Sequence, residues 1–425
     1  MNIEQARRTQ IFTPLYIVRD MIRIVPDISG TILDLCAGEG VFTSVLIEEF
    51  KVDPSRITLI EIDPILCNKL RKKFPLCNVI EGDLFEATKD CAGKFDVVFS
   101  NPPYQVQSWA QKRNNGDGRS PHAKPIYHEI VVHALDNLQP KYVSMITPSR
   151  WMAGGMGLGK YRDRMLADTR IRLIQDFPGL SEVFKTVSIS GGVSYFLWDK
   201  EYKGECEFNG YKRPLDEFDI VVRDNAAISI LKKVLDKHPV GQFCDKKVLP
   251  RKPFGLPTNF KDWVPGGIEG TVKCITRGRK EKFVSQGKYN DRFGVLNKWK
   301  VFSTAGYNSA YEFKEGNPLY VLNSFMSDQR AICTETYLVI GSFDTKKEAK
   351  HYLYYANTKF YRFMVSLRKI TQHVSTSKFT WVPDFQDYSK AWTDEELYQH
   401  FGLTKKEIDH IESTIKERKG TQITQ

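Results

Sequence analysis

The chain has 425 residues, 41% hydrophobic and 27% charged, with a formal net charge of +11. That is longer than one core usually serves, so two domains are expected. No apolar run reaches the length of a bilayer span, Met1-Asn2-Ile3-Glu4-Gln5 is no signal peptide, and the eight cysteines are scattered without a C-x-x-C pair. These features exclude a membrane protein and argue for a reduced, cytoplasmic setting and against any metal site.

Charge is uneven along the chain. Residues 1–200 carry 25 basic against 23 acidic side chains, and residues 201–425 carry 37 against 28. Within 241–300 alone the ratio is 14 to 5. A near-neutral half followed by a basic half suggests a catalytic domain (1–200) beside a polyanion-binding domain (201–425).

In chain order, Thr13-Pro14 reads as a helix cap with proline at the first helical position, and Val18, Met21, Ile22 and Val25 recur at helical spacing. Thr31-Ile32-Leu33-Asp34-Leu35 is a strand that runs into Cys36-Ala37-Gly38-Glu39-Gly40 and a further helix. Strand, glycine turn, helix is a nucleotide-cofactor pattern, since glycine permits tight dihedrals and close backbone approach. The absence of G-K-[ST] sets it apart from the phosphate loop of NTPases. A second strand, Ile57–Glu61, ends in an acid placed to accept hydrogen bonds from ribose hydroxyls. A third unit around Val79–Phe85 contains Asp83, suited to an adenine amino group.

The short apolar strand Val97-Val98-Phe99 then stops at Asn101-Pro102-Pro103-Tyr104. Two prolines forbid strand or helix and hold Asn101 and Tyr104 in fixed relation. The corner offers an amide oxygen, a proline carbonyl and an aromatic face, enough to grip a planar group bearing an exocyclic NH2. A long, largely polar loop from Gln105 to Lys124 follows, read as a lid that touches a large substrate. Helical (130–138 and 161–166) and strand (142–146, 171–176 and 193–198) patterns alternate after it. The fold class expected is α/β, a Rossmann-like doubly wound sheet with ligands at the strand C-termini, followed by a mixed α+β domain. Thr393–Tyr398 and Leu403–Ile408 read as two capped structural helices, Asp344-x-x-x-Glu348-Ala349-Lys350 as solvated helix charge, and His128 and His133 as packed or surface histidines.

The set Asp34-x-x-x-Gly38-x-Gly40, Glu61, Gly82-Asp83 and Asn101-Pro102-Pro103-Tyr104 resembles the S-adenosylmethionine-dependent DNA adenine-N6 methyltransferases. Phe12-Thr13-Pro14 is similar to the upstream cofactor motif of their γ-type order, and the likeness to the methylase part of TaqI-like type II restriction-modification enzymes runs through Lys124–His128, Ile146–Trp151 and Gly191–Trp198. The resemblance implies methyl transfer from S-adenosylmethionine to N6 of an adenine flipped from double-stranded DNA. The enzyme would be the modification part of a restriction-modification system, leaving room for a separate restriction endonuclease as partner, or a solitary methylase. Asn101 and Pro102 would accept the two amine hydrogens, with Pro103 fixing the corner, Tyr104 stacking on the base, and Phe184 or Phe196 covering its other face. Thr13, Asp34, Cys36, Ala37, Gly38, Gly40, Glu61, Asp83, Leu84 and Asn101 would line the cofactor site. DNA contacts are expected from Lys112, Arg113 and Arg119 in the lid, from Arg277, Arg279, Lys280, Lys298 and Lys300, and from Arg368, Lys369 and Lys378. An RNA adenine-N6 methyltransferase, a protein glutamine methyltransferase using the same corner, and a catalytically inactive DNA-binding specificity subunit remain as alternatives.

Overall fold

The computed structural model describes residues 11–107, 123–155, 157–179, 182–184, 189–306, 319–369 and 373–418. The chain divides into two compact units, Met1–Val221 and Val222–Gln425.

In the first unit, β1 (Ile32–Leu35), β2 (Ile57–Glu61), β3 (Asn78–Glu81), β4 (Val97–Ser100), β7 (Tyr142–Pro148), β8 (Ile171–Phe177) and β9 (Val193–Asp199) form one sheet with the short β10 (Cys206–Phe208) and β11 (Tyr211–Arg213). Its order is β11-β10-β8-β9-β7-β4-β1-β2-β3. The run β3-β2-β1-β4-β7 is parallel, and β9 enters antiparallel between β7 and β8. A separate ribbon pairs β5 (Gln105–Gln107) with β6 (Ala123–Pro125). The boundary expected at 200/201 moves to 221/222 because β10 joins the sheet beside β8 and β11 pairs with β10.

Period-two alternation sends successive strand residues to opposite faces. Ile32, Val97, Phe99 and Ile146 pack with α1 (Leu15–Arg23), α2 (Val41–Glu48) and α3 (Pro64–Lys73), whereas Leu33, Val98, Val143 and Met145 pack with α5 (Tyr127–His133) and α6 (Gly159–Ala167). A further single turn, α4 (Leu84–Ala87), follows β3. Both faces are therefore covered, which is why the central strands read as unbroken apolar runs. Phe42 of α2 stacks on Phe99 at 5.6 Å between centroids, and Ser144 Oγ of β7 donates to the Met21 carbonyl of α1 at 3.1 Å. Helix α1 begins at Leu15 after an extended Pro14, with no side-chain cap. The expected cap by Thr13 is thus overturned, because that hydroxyl is engaged elsewhere.

The second unit holds two three-stranded sheets. One is β13 (Lys280–Ser285), β12 (Thr271–Thr276) and β16 (Ile332–Cys333); the other is β15 (Phe325–Met326), β14 (Trp299–Thr304) and β17 (Tyr337–Phe343). Around them lie α7 (Ala227–Lys237), α8 (Lys346–Asn357), α9 (Lys359–Leu367), α10 (Asp394–Phe401) and α11 (Lys405–Thr414). The two C-terminal helices carry complete capping boxes, Thr393 with Glu396 and Thr404 with Glu407. Glu348 serves the same purpose for Thr345 at the start of α8, so the charge there is a helix cap.

Four cations assigned to DNA contact prove to be interior. Lys300 is fully buried, and its ammonium donates to the carbonyls of Val295 (2.9 Å), Leu296 (2.9 Å), Lys298 (2.7 Å) and Gln329. Burial pushes it down to about 8, so it stays mostly charged at neutral pH. Arg368 is buried over the Trp381 ring at 4.3 Å and donates to the Ser377 carbonyl at 2.9 Å; Lys369 and Lys378 are buried too. Chain carbonyls take up Lys300 and Arg368, and burial withdraws all four side chains from a surface phosphate. Arg277, Arg279 and Lys280 are exposed, while Lys298 pairs with Asp344 at 3.3 Å. Lys112, Arg113 and Arg119 lie outside the described residues.

A clamp of this kind predicts a stability cost that a DNA contact would not show. Lys300→Met takes away the three ammonium donors shared among these carbonyls and should lower unfolding free energy by roughly 3 kcal/mol. The exposed Arg277→Met should cost no more than about 0.5 kcal/mol. Urea denaturation of the full chain followed by tryptophan fluorescence checks both, and equal midpoints for the two variants would refute the clamp.

Candidate functional site

Where β1 ends the backbone turns through Cys36 (φ 64°), Gly38 (φ 57°) and Gly40 (φ 72°), three left-handed residues in alternation. Cys36 holds a conformation costly for any side chain except glycine's. Burial, chiefly, pushes its thiol far above the ordinary range, so it is no nucleophile. The turn is tied down by Ala37 N–H to the Ile60 carbonyl (2.9 Å) and Gly40 N–H to the Ala37 carbonyl (2.8 Å). A Cβ on Gly40 would sit 2.6 Å from Phe74 and 2.8 Å from Leu70, both packed beneath it. Gly40 accordingly serves helix packing and does not line the cleft, whereas Cys36, Ala37 and Gly38 do.

Three acids meet at the ends of β2 and β3. The Glu61 carboxylate bridges two segments: Oε2 accepts from Gly38 N–H at 2.8 Å, and Oε1 from Ile62 and Asp63 N–H at 2.9 Å each. Asp63 caps α3 by accepting from Ile65 N–H at 2.9 Å, and Asp83 caps α4 by accepting from Phe85 N–H at 3.0 Å. All three line the cleft, along with Leu84. Asp34 departs from expectation. It is buried beneath the turn, on the α2 side, where Oδ2 accepts from Thr43 Oγ1 at 2.8 Å, and it is not among the lining residues.

At the corner after β4, Ser100 Oγ donates to the Leu35 carbonyl and fixes this strand end against β1. Asn101 then has both amide hydrogens engaged: Nδ2 donates to the Ile11 carbonyl (2.9 Å) and to Thr13 Oγ1 (3.0 Å). Its Oδ1 is buried and accepts no hydrogen bond among the described residues. An acceptor in that state is costly until a donor arrives. Thr13, Asn101, Pro102 and Pro103 line the same cleft as the three acids. The sequence reading missed part of the apolar lining, Ile11, Ile62, Leu66, Ile126 and Ile130, for which no pattern beyond core periodicity gave a signal.

Tyr104 is packed rather than open. Its ring meets Phe184 edge to face with centroids 6.5 Å apart, and it is 6% exposed. Phe184 shares a hydrophobic cluster with Tyr104, while Phe196 belongs to the cluster on the opposite face of the sheet. Successive register positions on β9 face opposite ways, and this removes Phe196 from the corner. His133 is packed as expected, its Nε2 2.7 Å from Thr88 Oγ1. No group of three His, Cys, Asp or Glu side chains among the described residues could hold a metal, and no described helix is long and apolar enough to cross a membrane.

Residues 42–184 match the family described as Eco57I restriction-modification methylase. Over 117 residues the chain is 35% identical to an uncharacterized adenine-specific methylase of Mycoplasma pneumoniae, covering 27% of this chain and 26% of that protein. Over 87 residues it is 31% identical to the release factor glutamine methyltransferase of Streptomyces coelicolor, covering 20% of this chain and 30% of the relative. The chain thus spans under a third of these curated relatives. Among solved structures, the type IIG restriction endonuclease BpuSI aligns with TM-score 0.40 and 12% identity over 97% of this chain and 60% of its own. A modification subunit of a putative type I restriction enzyme from Vibrio vulnificus aligns with TM-score 0.36 and 14% identity over 47% and 46%. The family match bears out the resemblance read from the motifs, and a methylase agrees with S-adenosylmethionine as cofactor.

Burial, chiefly, raises the Asp34 carboxyl to about 7, opposed by the Thr43 hydroxyl. A folded value above the unfolded one favours the neutral acid, so this contribution is complete below about pH 4 and is lost as pH rises toward 7. Asp34→Asn keeps an acceptor for Thr43 but cannot ionise. Its melting temperature relative to the parent should therefore climb between about pH 4 and pH 7 and level off above. A difference independent of pH in thermal melts would contradict this account.

Proposed function

We propose that the first unit transfers a methyl group from S-adenosylmethionine to N6 of an adenine flipped out of duplex DNA, as the modification part of a restriction-modification system or as a solitary methylase. The single observation that carries this reading is the Asn101 amide, whose donors are engaged by Ile11 and Thr13 and whose buried Oδ1 has no partner among the described residues. A primary amine supplies the missing donor. Adenine N6 has its lone pair delocalised into the ring. Acceptance of its two hydrogens by Asn101 Oδ1 and the Pro102 carbonyl would draw the nitrogen toward tetrahedral geometry and aim the lone pair. Positioning and electrostatics of this kind contribute several kcal/mol to barrier lowering.

The cleft fits the cofactor on chemical grounds. The two Glu61 oxygens, with three backbone donors already bound, retain acceptor capacity for ribose hydroxyls. Asp83 is suited to the adenine amine, Leu84 and Phe85 offer apolar walls, and the Cys36–Gly38 backbone lies where a methionine end would be held. When bound, S-adenosylmethionine supplies an electrophilic methyl on a sulfonium. Of the two aromatic candidates for the second face of the base, packing beside Tyr104 favours Phe184. The basic second unit, with exposed Arg277, Arg279 and Lys280, supports a polyanionic substrate.

A second reading is methylation of a protein glutamine, favoured by the likeness to a release factor glutamine methyltransferase and by the planar NH2 that a glutamine amide also presents. A basic unit placed after the catalytic one supports DNA instead. Incubating the full chain with labelled S-adenosylmethionine and, in parallel, unmethylated plasmid, total RNA and protein lysate decides among these. Label recovered as N6-methyladenine in DNA is the expected result; label in RNA or protein moves the assignment to that alternative. No transfer together with no cofactor binding would mark an inactive specificity subunit.

Asn101→Ala should abolish transfer and leave S-adenosylmethionine affinity within a few-fold of the parent; transfer at the parental rate would sink the mechanism. Thr13→Val removes one of two hydrogen bonds that orient the amide, worth about 1–2 kcal/mol, and should slow single-turnover transfer roughly tenfold. Thr13→Ser keeps the acceptor and should restore most of that rate.

A further inference from the structure

The sheet edge that carries Asn101 carries a second set of unanswered polar side chains. Ser100 of β4 pairs with Met145 of β7, so the two strands run past one edge together, one into Asn101–Tyr104 and the other into the tight turn Ser149–Met152. That turn is pinned at both ends. Ser149 N–H donates to the Gly192 carbonyl at 3.0 Å, and its Oγ donates to Asp176 Oδ1 at 2.7 Å. Gly154 N–H donates to the Arg150 carbonyl at 2.8 Å, and Arg162 Nη1 donates to the Gly154 carbonyl at 2.9 Å. A Cβ on Gly154 would sit 2.4 Å from the Arg150 carbonyl oxygen and 2.8 Å from its Cγ, so the glycine lets the arginine stem lie against the turn.

Arg150 thus stands on a fixed base, yet its guanidinium is idle. It is half-buried, its Nε is enclosed with no acceptor, and it pairs with no carboxylate among the described residues. Burial, chiefly, pulls its pKa down, where a carboxylate partner would hold it up. Hydroxyls close by are idle as well. The Tyr127 phenol lies beside Arg150, Tyr104 and the Trp151 backbone, and closes no hydrogen bond among the described residues. Tyr161 packs edge to face on Tyr127 with centroids 6.2 Å apart, and its hydroxyl is buried without a partner too. So is that of Thr147, which shares the Met145 face of β7. A half-buried cation among spare donors, with no acid to answer it, is costly until an anion rich in acceptors arrives. Phosphodiester oxygens meet that need, since a guanidinium fork grips two of them at once.

We infer that Arg150 holds the phosphate adjoining the flipped adenine, so that one nucleotide is gripped at its base by Asn101 and at its backbone by Arg150. The choice of a nucleotide rests on the proposed methylase reading; the demand for an anion rests on the turn and its hydroxyls. Extruding a base swings its phosphate with it, so this contact stabilises the flipped state over the stacked one. Phosphate contacts that merely position a duplex favour both alike. The test uses the full chain and a short duplex bearing the sequence that it methylates in plasmid. The phosphate on either side of the target adenine is replaced in turn by a neutral methylphosphonate. Single-turnover transfer by the parent should fall about tenfold with one of the two. Arg150→Ala and Arg150→Gln should fall about tenfold on the unmodified duplex and no more than about twofold further on the modified one, because both changes remove a single contact. Tyr127→Phe should fall about threefold. Unchanged circular dichroism and S-adenosylmethionine affinity establish that the variants are folded. Losses that multiply to about a hundredfold overturn the inference, as does a parent indifferent to both replacements. The two readings fail separately. Multiplied losses with N6-methyladenine still formed in DNA remove the Arg150 contact alone. A parent that labels protein and no DNA removes the methylase reading, and an equal slowing of that transfer by Arg150→Ala makes the anion a carboxylate in place of a phosphate.

Discussion

A primary amide presents donors on one side and an acceptor on the other, and at Asn101 the fold commits the donor side completely. Holding Nδ2 between the Ile11 carbonyl and Thr13 Oγ1 requires the segment before α1 to cross to the end of β4, a contact that spans about ninety residues of chain. Much else follows. Pro14 must stay extended to deliver Thr13, so α1 begins uncapped at Leu15. The amphipathic face of that helix and the Ser144 bond to Met21 then hold the segment against the sheet. The two prolines after Asn101 stop the strand from continuing and turning the amide away.

Glu61 solves a second problem with the same economy. The turn after β1 alternates three left-handed residues between Cys36 and Gly40 and has little intrinsic preference for its shape, yet one carboxylate collects N–H groups from Gly38, Ile62 and Asp63. The acid read as a ribose ligand is thus also the brace of the glycine turn. Asp34, on the neighbouring strand β1, braces the other side through Thr43. Its raised pKa is the mark of a structural acid kept from water.

Much of this was legible in the residues because periodicity and local chemistry point the same way. Short, largely apolar runs in β1, β4 and β7 gave the covered sheet, glycines gave the turn, and the Asn-Pro-Pro-Tyr run gave the corner. What escaped was whatever depends on distant partners. A lysine flanked by aromatics looks like a surface contact, and nothing near Lys300 announces that the Gln329 carbonyl will close over it. Phe184 and Phe196 are equally aromatic, and only the register of β9 separates them. Thr13 before Pro14 has the chemistry of a helix cap, and a partner at position 101 outbids the helix for it. The boundary near 221 was hidden because β10 and β11 are three residues each, too short for a pattern.

Tyr104 and Phe184 have a consequence of their own. Rings with centroids within about 7 Å touch one another, so at 6.5 Å there is no slot between them for a third plane. The two rings close on one another and leave Tyr104 6% exposed. Parting such a pair costs about 0.5–1.5 kcal/mol. That is small beside the few kcal/mol needed to unstack a base. A flat ring that parted the pair would regain ring contact on both sides, whereas a water would replace no ring contact and could only answer the Tyr104 hydroxyl, which has no partner among the described residues. Under the proposed reading the pair would select for shape, giving way to a flat ring.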